Sequence, residues 1–254
     1  MASNFGKTIQ VATFGASHGY AIGGIVEGLP CGHTIDIDEL QAFLKRRAPG
    51  QNQLQTQRKE ADIPEFLSGM VDGMLSGSPL AFMIRNTSQH SGDYNNLRDI
   101  PRPSHADFTA RMRYGDKVDM RGGGHFSARL TAPLCVAGGI ALQLLREKGI
   151  EIHGHLKQVG TIQDTPIDMV HPDMKALAKI ATETIAMVDA DKRSEVENLV
   201  MKLKKDGDST GGIVEVIATG LPVGLGNPNF DGIENRLARV IFGVPAIKGV
   251  SFGG

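Results

Sequence analysis

The chain has 254 residues, 41% of them hydrophobic and 22% charged, with a formal net charge of -1. That length can bury a sizeable core as one large domain or two small ones. The balanced charge gives no whole-chain support for a nucleic-acid partner, so any anion site has to arise from local clustering. Cys31 and Cys135 stand far apart with no C-x-x-C pair, which reads as two free thiols in a reducing, cytoplasmic setting. No apolar run approaches the roughly 20 residues that a bilayer span requires, and the first residues lack a secretory pattern. The expectation is a soluble protein that does not contact the membrane.

Taken in chain order, residues 8–14 read as a strand and GASHG (15–19) as a tight turn leaving it. Residues 23–28 form a second short strand. Asp36 with Glu39 three positions later is a capping-box-like start, and the helix runs to Pro49–Gly50 with Leu40, Phe43 and Leu44 on one face. Residues 51–62 show no periodicity and read as a loop. Strands are expected at 65–71 and 79–85, a short helix at 106–114, and a long apolar helix over 126–148 with Pro133 near its start. An alternating strand follows at 150–162, placing His153 and His155 on one face as exposed positions. Residues 172–205 read as two charged helices. A strand at 211–220, a Gly/Pro loop, an amphipathic helix ending near Gly243 and a strand at 246–254 complete the chain. Strands and helices mixed without regular alternation favour an α+β fold over a doubly wound sheet.

The chemistry concentrates between Arg98 and Ala132. This stretch carries Arg102, Arg111, Arg113, Arg121 and Arg129, the histidines His105 and His125, and three adjacent glycines, Gly122–Gly124. Glycines between cations let backbone N–H groups approach an anion closely, and guanidinium forks bind phosphate or carboxylate in two-pronged fashion. His105 adds a proton-transfer group near neutral pH. The reading is an anion site with acid–base capacity, against the alternative of a solvated basic surface with a glycine hinge. His105-x-Asp107 lacks a third ligand at suitable spacing, so no metal is expected. A basic RNA-binding patch is disfavoured because no aromatics interleave the arginines.

These segments together resemble the chorismate synthase family. GASHG is similar to its first histidine motif, with Ala16 where the family has Glu. RRAPG (46–50) and TQRKEAD (56–62) resemble two later blocks. RPSHADFT (102–109) resembles the second histidine motif, with Ser104 in place of glycine. RGGGHFSARLTA resembles the branch carrying His-Phe-Ser, and DSTGG, GLPVGLGNP and PAIKGVSFG follow in family order. The resemblance implies a single domain, 1–254, with a β-α-β sandwich, and the anti-elimination of phosphate from 5-enolpyruvylshikimate 3-phosphate, with reduced FMN as cofactor and NADPH as a candidate reductant. It implies a small-molecule substrate and a homotetramer. By residue, it implies His18 and His105 as catalytic groups, the first protonating the departing phosphate and the second beside flavin N1. It further implies Ser17, Arg47, Arg102 and Arg129 as substrate ligands. Arg47, His125, Phe126, Ser127, Pro245 and Ala246 would contact FMN.

Three departures have physical consequences. Ala16 removes a carboxylate, Gln53 stands where many members carry a further arginine, and Ser104 is costly if the family's glycine has positive φ. The family also continues past the PAIKGVSFG block, so the fold is expected to be incomplete at its C-terminus, as a fragment or a shortened relative. Reduced solubility and weak flavin binding are the corresponding expectations. The alternative function is a non-catalytic remnant that keeps the anion pocket.

Overall fold

The computed structural model describes residues 3–50, 54, 60–88 and 100–253. The chain divides into two compact units, one made of 1–49, 58–143 and 223–254, the other of 50–57 and 144–222.

The first unit is built on an antiparallel sheet. Its strands are β1 (Asn4–Gly6), β2 (Gln10–Gly15), β3 (Ala21–Glu27), β4 (Pro64–Ser68) and β7 (Leu80–Arg85), in the spatial order β1-β2-β3-β7-β4. A small hairpin, β5 (Met70–Val71) and β6 (Met74–Leu75), sits between β4 and β7 in sequence. Alternation is clearest in β7, where Leu80, Phe82 and Ile84 are buried and the residues between them are less so. This is the period of two that puts one face of a strand against the core. Helix α1 (Ile37–Arg47) begins as its sequence predicts. The Asp36 carboxylate accepts the Glu39 N–H at 2.8 Å, and Leu40 and Leu44 are buried. Helix α3 (Thr131–Arg146) contributes Ala132, Val136 and Ile140 to the buried set. The two helices meet where α3 has no side chain: a Cβ on Gly139 would fall 2.5 Å from Leu40 Cδ1. The junction is pinned further by Gln143, which bonds both the N–H and the carbonyl of Asp36 at 2.9 Å. Helix α2 (Asp107–Tyr114) forms where expected, and α6 (Ile233–Ile241) is helical as its pattern predicts.

Two expectations for this unit are corrected. The long helix does not begin at 126: residues 121–130 are 3-10 turns interrupted by left-handed glycines, and regular helix starts at Thr131. The regular part, 16 residues, is shorter than the roughly 20 that a span needs, although the turns and helix together are long and apolar enough to pass a simple length-and-composition test. Residues 246–253 contain no strand; they run on irregularly after α6. The expected loop at 51–62 lies largely outside the described residues.

The second unit has β8 (Glu151–Val159) flanked by β10 (Gly212–Thr219) and β9 (Ile162–Gln163), with helices α4 (Met174–Ile180) and α5 (Ala190–Asp206). Ile185, Met187 and Val196 form its core cluster, with Leu156, Val159 and Val200 packed against it. His155 is not an exposed strand position. It is 2% exposed, with Nε2 3.0 Å from the Glu215 carboxylate and Nδ1 3.4 Å from that of Asp164. Asp164 itself accepts the N–H groups of Val188 and Asp189, at 2.6 and 3.0 Å. An alternating pattern shows which residues share a face but not which face is covered.

Asp36→Ala removes the cap oxygen of α1 and keeps the Gln143 bonds, which use the Asp36 backbone. Urea unfolding of this variant is expected to show a loss of about 1 kcal/mol.

Candidate active site

The site grows from the turn between β2 and β3. Gly19 N–H donates to the Ala16 carbonyl at 2.9 Å, closing the turn and presenting Ser17 and His18, both buried. Ser17 N–H donates to the Gly124 carbonyl at 3.0 Å, which ties this turn to the glycine run. Gly122, Gly123 and Gly124 have φ of 58°, 88° and 54°, a region that costs any other L-residue. Their lack of side chains has a second consequence. A Cβ on Gly122 would lie 2.2 Å from Cδ2 of His18, and one on Gly123 would lie 3.2 Å from Cε1 of His105. Consecutive glycines therefore pack their backbone directly against the two imidazoles that the sequence singles out.

His125 is tied at both ring nitrogens. Nδ1 is 2.8 Å from the Gly15 carbonyl and Nε2 is 2.6 Å from the Ser3 hydroxyl. A carbonyl only accepts, so Nδ1 carries a proton and donates it to Gly15. His125 thus anchors the glycine run to β2. Phe126 sets its ring near that of Tyr114, with centroids 6.3 Å apart, and the Ser127 hydroxyl caps the next turn by accepting the Arg129 N–H.

The arginines turn out to be held by specific carboxylates rather than presented as a loose cationic surface. Arg129 is buried: Nη1 donates to Asp62 Oδ1, and Nε donates to Asn86 Oδ1 at 3.2 Å. Arg47, at the end of α1, donates from Nη1 to the other Asp62 oxygen at 2.7 Å and from Nε to the Thr131 hydroxyl at 3.3 Å. One buried aspartate therefore fixes both guanidinium groups. Glu60 stands 3.9 Å from Arg129 Nη2 and accepts from the Thr87 N–H and hydroxyl and the Ser88 N–H. Burial pulls the Arg129 pKa down from its ordinary value, and the Asp62 and Glu60 carboxylates pull it back up. Arg129 Nη2 is buried without a hydrogen-bond partner among the described residues. Four-residue spacing from His125 gives Arg129 a shared helix face only if the helix has begun by then. The helix has not begun at that point, and Arg129 owes its position to Asp62 instead.

The second histidine segment is a compact ion cluster. Arg102 donates to both oxygens of Asp107, at 2.8 and 2.9 Å, and Asp107 also lies 2.8 Å from His105 Nδ1. Arg102 holds the Asp107 carboxyl well below the usual carboxylate range, outweighing the opposing effect of burial. Arg102 Nη2 also lies 3.3 Å from His105 Nδ1, so the imidazole sits against both members of the Arg102–Asp107 pair. Ser104, one residue earlier, has φ of +58°. Arg121 pairs with Asp119, depressing its pKa with a smaller contribution from His18. Arg113 lies over the Tyr114 ring, and Arg111 is half-buried.

Ser17, His18, Arg47, Arg102, His105, His125, Phe126, Ser127 and Arg129 all belong to this region of the first unit. Pro245 and Ala246 lie in the exposed tail after α6, with Ala246 at φ of 69°; among the described residues no hydrogen bond or ion pair links them to the histidines or arginines above. Sequence reading missed Asp62, Glu60 and Asn86. Asp62 and Glu60 lie within TQRKEAD, where the acidic residues could have been read as partners for the arginines; Asn86 carries no such signal.

Two outcomes follow from the second histidine segment. Ser104→Gly places the residue best suited to φ of +58° and is expected to raise unfolding stability by about 0.5–1 kcal/mol, measured in urea. Asp107 titrates lower in the native state than near 3.8, its ordinary value. Its pairing therefore stabilises the fold above about pH 4, and that contribution vanishes as pH falls through the native value. Asp107→Asn should be less stable than wild type at pH 7, and the difference in melting temperature should shrink steadily as the pH is lowered below 4.

The sequence matches the family model described as "Chorismate synthase" over residues 9–254. Among curated relatives, chorismate synthase from Lancefieldella parvula is 42% identical over 264 aligned positions, covering 100% of this chain and 69% of that protein. Chorismate synthase from Ralstonia pickettii is 43% identical, covering 99% of this chain and 66% of its own length. A crystal structure of chorismate synthase superposes with a TM-score of 0.76 at 26% identity, over 96% of this chain and 68% of that one. The chain thus spans about two thirds of the length of the relatives it matches. The α+β architecture and the whole-chain match agree: this chain belongs to the chorismate synthase family.

Proposed function

We propose that this chain carries the family's lyase chemistry in aromatic amino acid biosynthesis: elimination of phosphate from 5-enolpyruvylshikimate 3-phosphate to give chorismate. The observation that carries the reading is the packing of His18 and His105 against Gly122 and Gly123, beside two arginines fixed by Asp62. The substrate brings one phosphate and two carboxylates, and such groups call for guanidinium forks held in place. Arg47, Arg102 and Arg129, with Ser17, are the ligands. Arg129 Nη2 supports this role: it is buried without a hydrogen-bond partner among the described residues, the Glu60 carboxylate standing 3.9 Å away, and a substrate oxygen supplies an acceptor.

In the elimination, a C–O bond to phosphate breaks and a ring proton leaves as the new double bond forms. His18 donates a proton to the departing phosphate, which makes it a general acid. The glycine backbone against its ring excludes water and other side chains from that face. His105, held beside Arg102 and Asp107 at Nδ1, sets its ring against Gly123 of the glycine run.

The residues present fit a flavin. A three-glycine stretch without Cβ atoms can approach a flat ring closely, and His105 can offset negative charge on it. Phe126 and Ser127 would hold the ring, with Pro245 and Ala246 from the tail and Arg47 as a further ligand. His125 would serve by anchoring the loop, since both its nitrogens are engaged. Reduced FMN, when bound, supplies electron density to the elimination without net redox change. NADPH as its reductant, a homotetrameric assembly and a cytoplasmic location belong to the same proposal.

The test is anaerobic incubation with substrate and reduced FMN, following chorismate absorbance. His18→Ala and His105→Ala should each lower the rate by about 10² to 10⁴. Undiminished rates in both variants would refute the assignment. No turnover by the wild-type chain alongside retained substrate binding would leave only an anion-binding module.

A further inference from the structure

We infer that Asn86 is a positioning residue that locks the His18 turn to the Arg129 guanidinium, so that proton donor and anion ligand keep a fixed relation. The inference deepens the reading above and rests on His18 and Arg129 acting together on one substrate.

Asn86 follows the last residue of β7, and its N–H donates to the Tyr20 carbonyl at 3.2 Å, extending the β3–β7 ladder by one step. Its side chain then reaches back over the turn that β3 leaves behind. Nδ2 donates to the carbonyls of Ala16 and Gly19, at 3.1 and 2.8 Å, the two residues that bracket Ser17 and His18. Oδ1 accepts from Arg129 Nε at 3.2 Å. The partners fix the amide's orientation, because exchanging N and O would set an oxygen against two carbonyl oxygens and an NH2 against a guanidinium. Asn86 is 9% exposed, so these bonds form away from bulk water, where a lost partner is costly. Together with the Ser17 N–H bond to the Gly124 carbonyl, the two Nδ2 bonds hold the turn through its backbone. A change at Asn86 therefore acts on His18 from one side of the turn while Gly122 limits it on the other.

Asn86→Asp tests this with nearly unchanged size. It removes both donors to the turn and keeps an acceptor for Arg129. Two readouts separate positioning from mere stability. The first is the imidazole NMR spectrum of 15N-histidine-labelled chain without ligands, where the His18 ring signals should move and those of His155 should not. The second is steady-state kinetics with substrate and reduced FMN, where kcat should fall at least ten-fold with KM changed less than three-fold. Asn86→Ser, which keeps one small donor, should fall between Asn86→Asp and wild type on both. Asp36→Ala is the stability control and should leave the His18 signals in place.

Unmoved His18 signals in Asn86→Asp, or an equal movement in Asp36→Ala, would overturn the inference. If the wild-type chain shows no turnover, or His18→Ala retains full rate, the catalytic reading fails while the spectra still decide the role of Asn86. If neither Asn86 variant folds, the wild-type chain decides: slowly exchanging Asn86 side-chain amide protons support the lock, and exchange at the rate of exposed asparagines overturns it.

Discussion

The arrangement depends first on the Asp62 carboxylate, one oxygen of which meets Arg47 and the other Arg129. Two guanidinium groups placed side by side repel, and burying either alone carries a large desolvation cost. A shared, fully buried carboxylate offsets both effects and fixes the planes of the two forks. Asp62 itself sits at φ of 51°, uncommon for a residue with a side chain. From this pair the order spreads outward. Arg47 reaches Thr131 at the start of α3, Arg129 reaches Asn86 after β7, and Asn86 reaches the turn bearing His18. Sheet, helices and active-site turn are thus joined through one charged centre.

A second constraint is steric. Three glycines with positive φ let the chain fold back against two imidazoles, and a Cβ on Gly124 would run into the Asp119 backbone carbonyl. Any side chain there would displace a histidine or break the turn. The loop is held from outside by His125, bonded to Gly15 and Ser3, so its freedom is restricted despite its composition. Glycine here serves close approach rather than flexibility.

The charges in the stretch 98–132 are less available than their number suggests. Arg102 is engaged by Asp107, Arg121 by Asp119 and Arg129 by Asp62. An anion entering such a site meets oriented donors with their counter-charges already in place. Selectivity then follows from geometry more than from net field.

Sequence alone determined the local structure wherever one short-range rule acted. Asp36 caps α1, alternation marks β7, the apolar pattern marks α6, and ordered motifs across the chain point to the family. Sequence also marked Ser104 as costly if φ were positive, which it is. Only the tertiary structure decided the rest. The 126–148 pattern looked continuously helical because apolar periodicity does not register left-handed glycines just upstream. His155 looked exposed because its partners, Asp164 and Glu215, are distant in sequence. For the same reason Asn86 was invisible as a site residue: it joins segments 43–70 positions apart, and composition and spacing hold no record of such long-range hydrogen bonds.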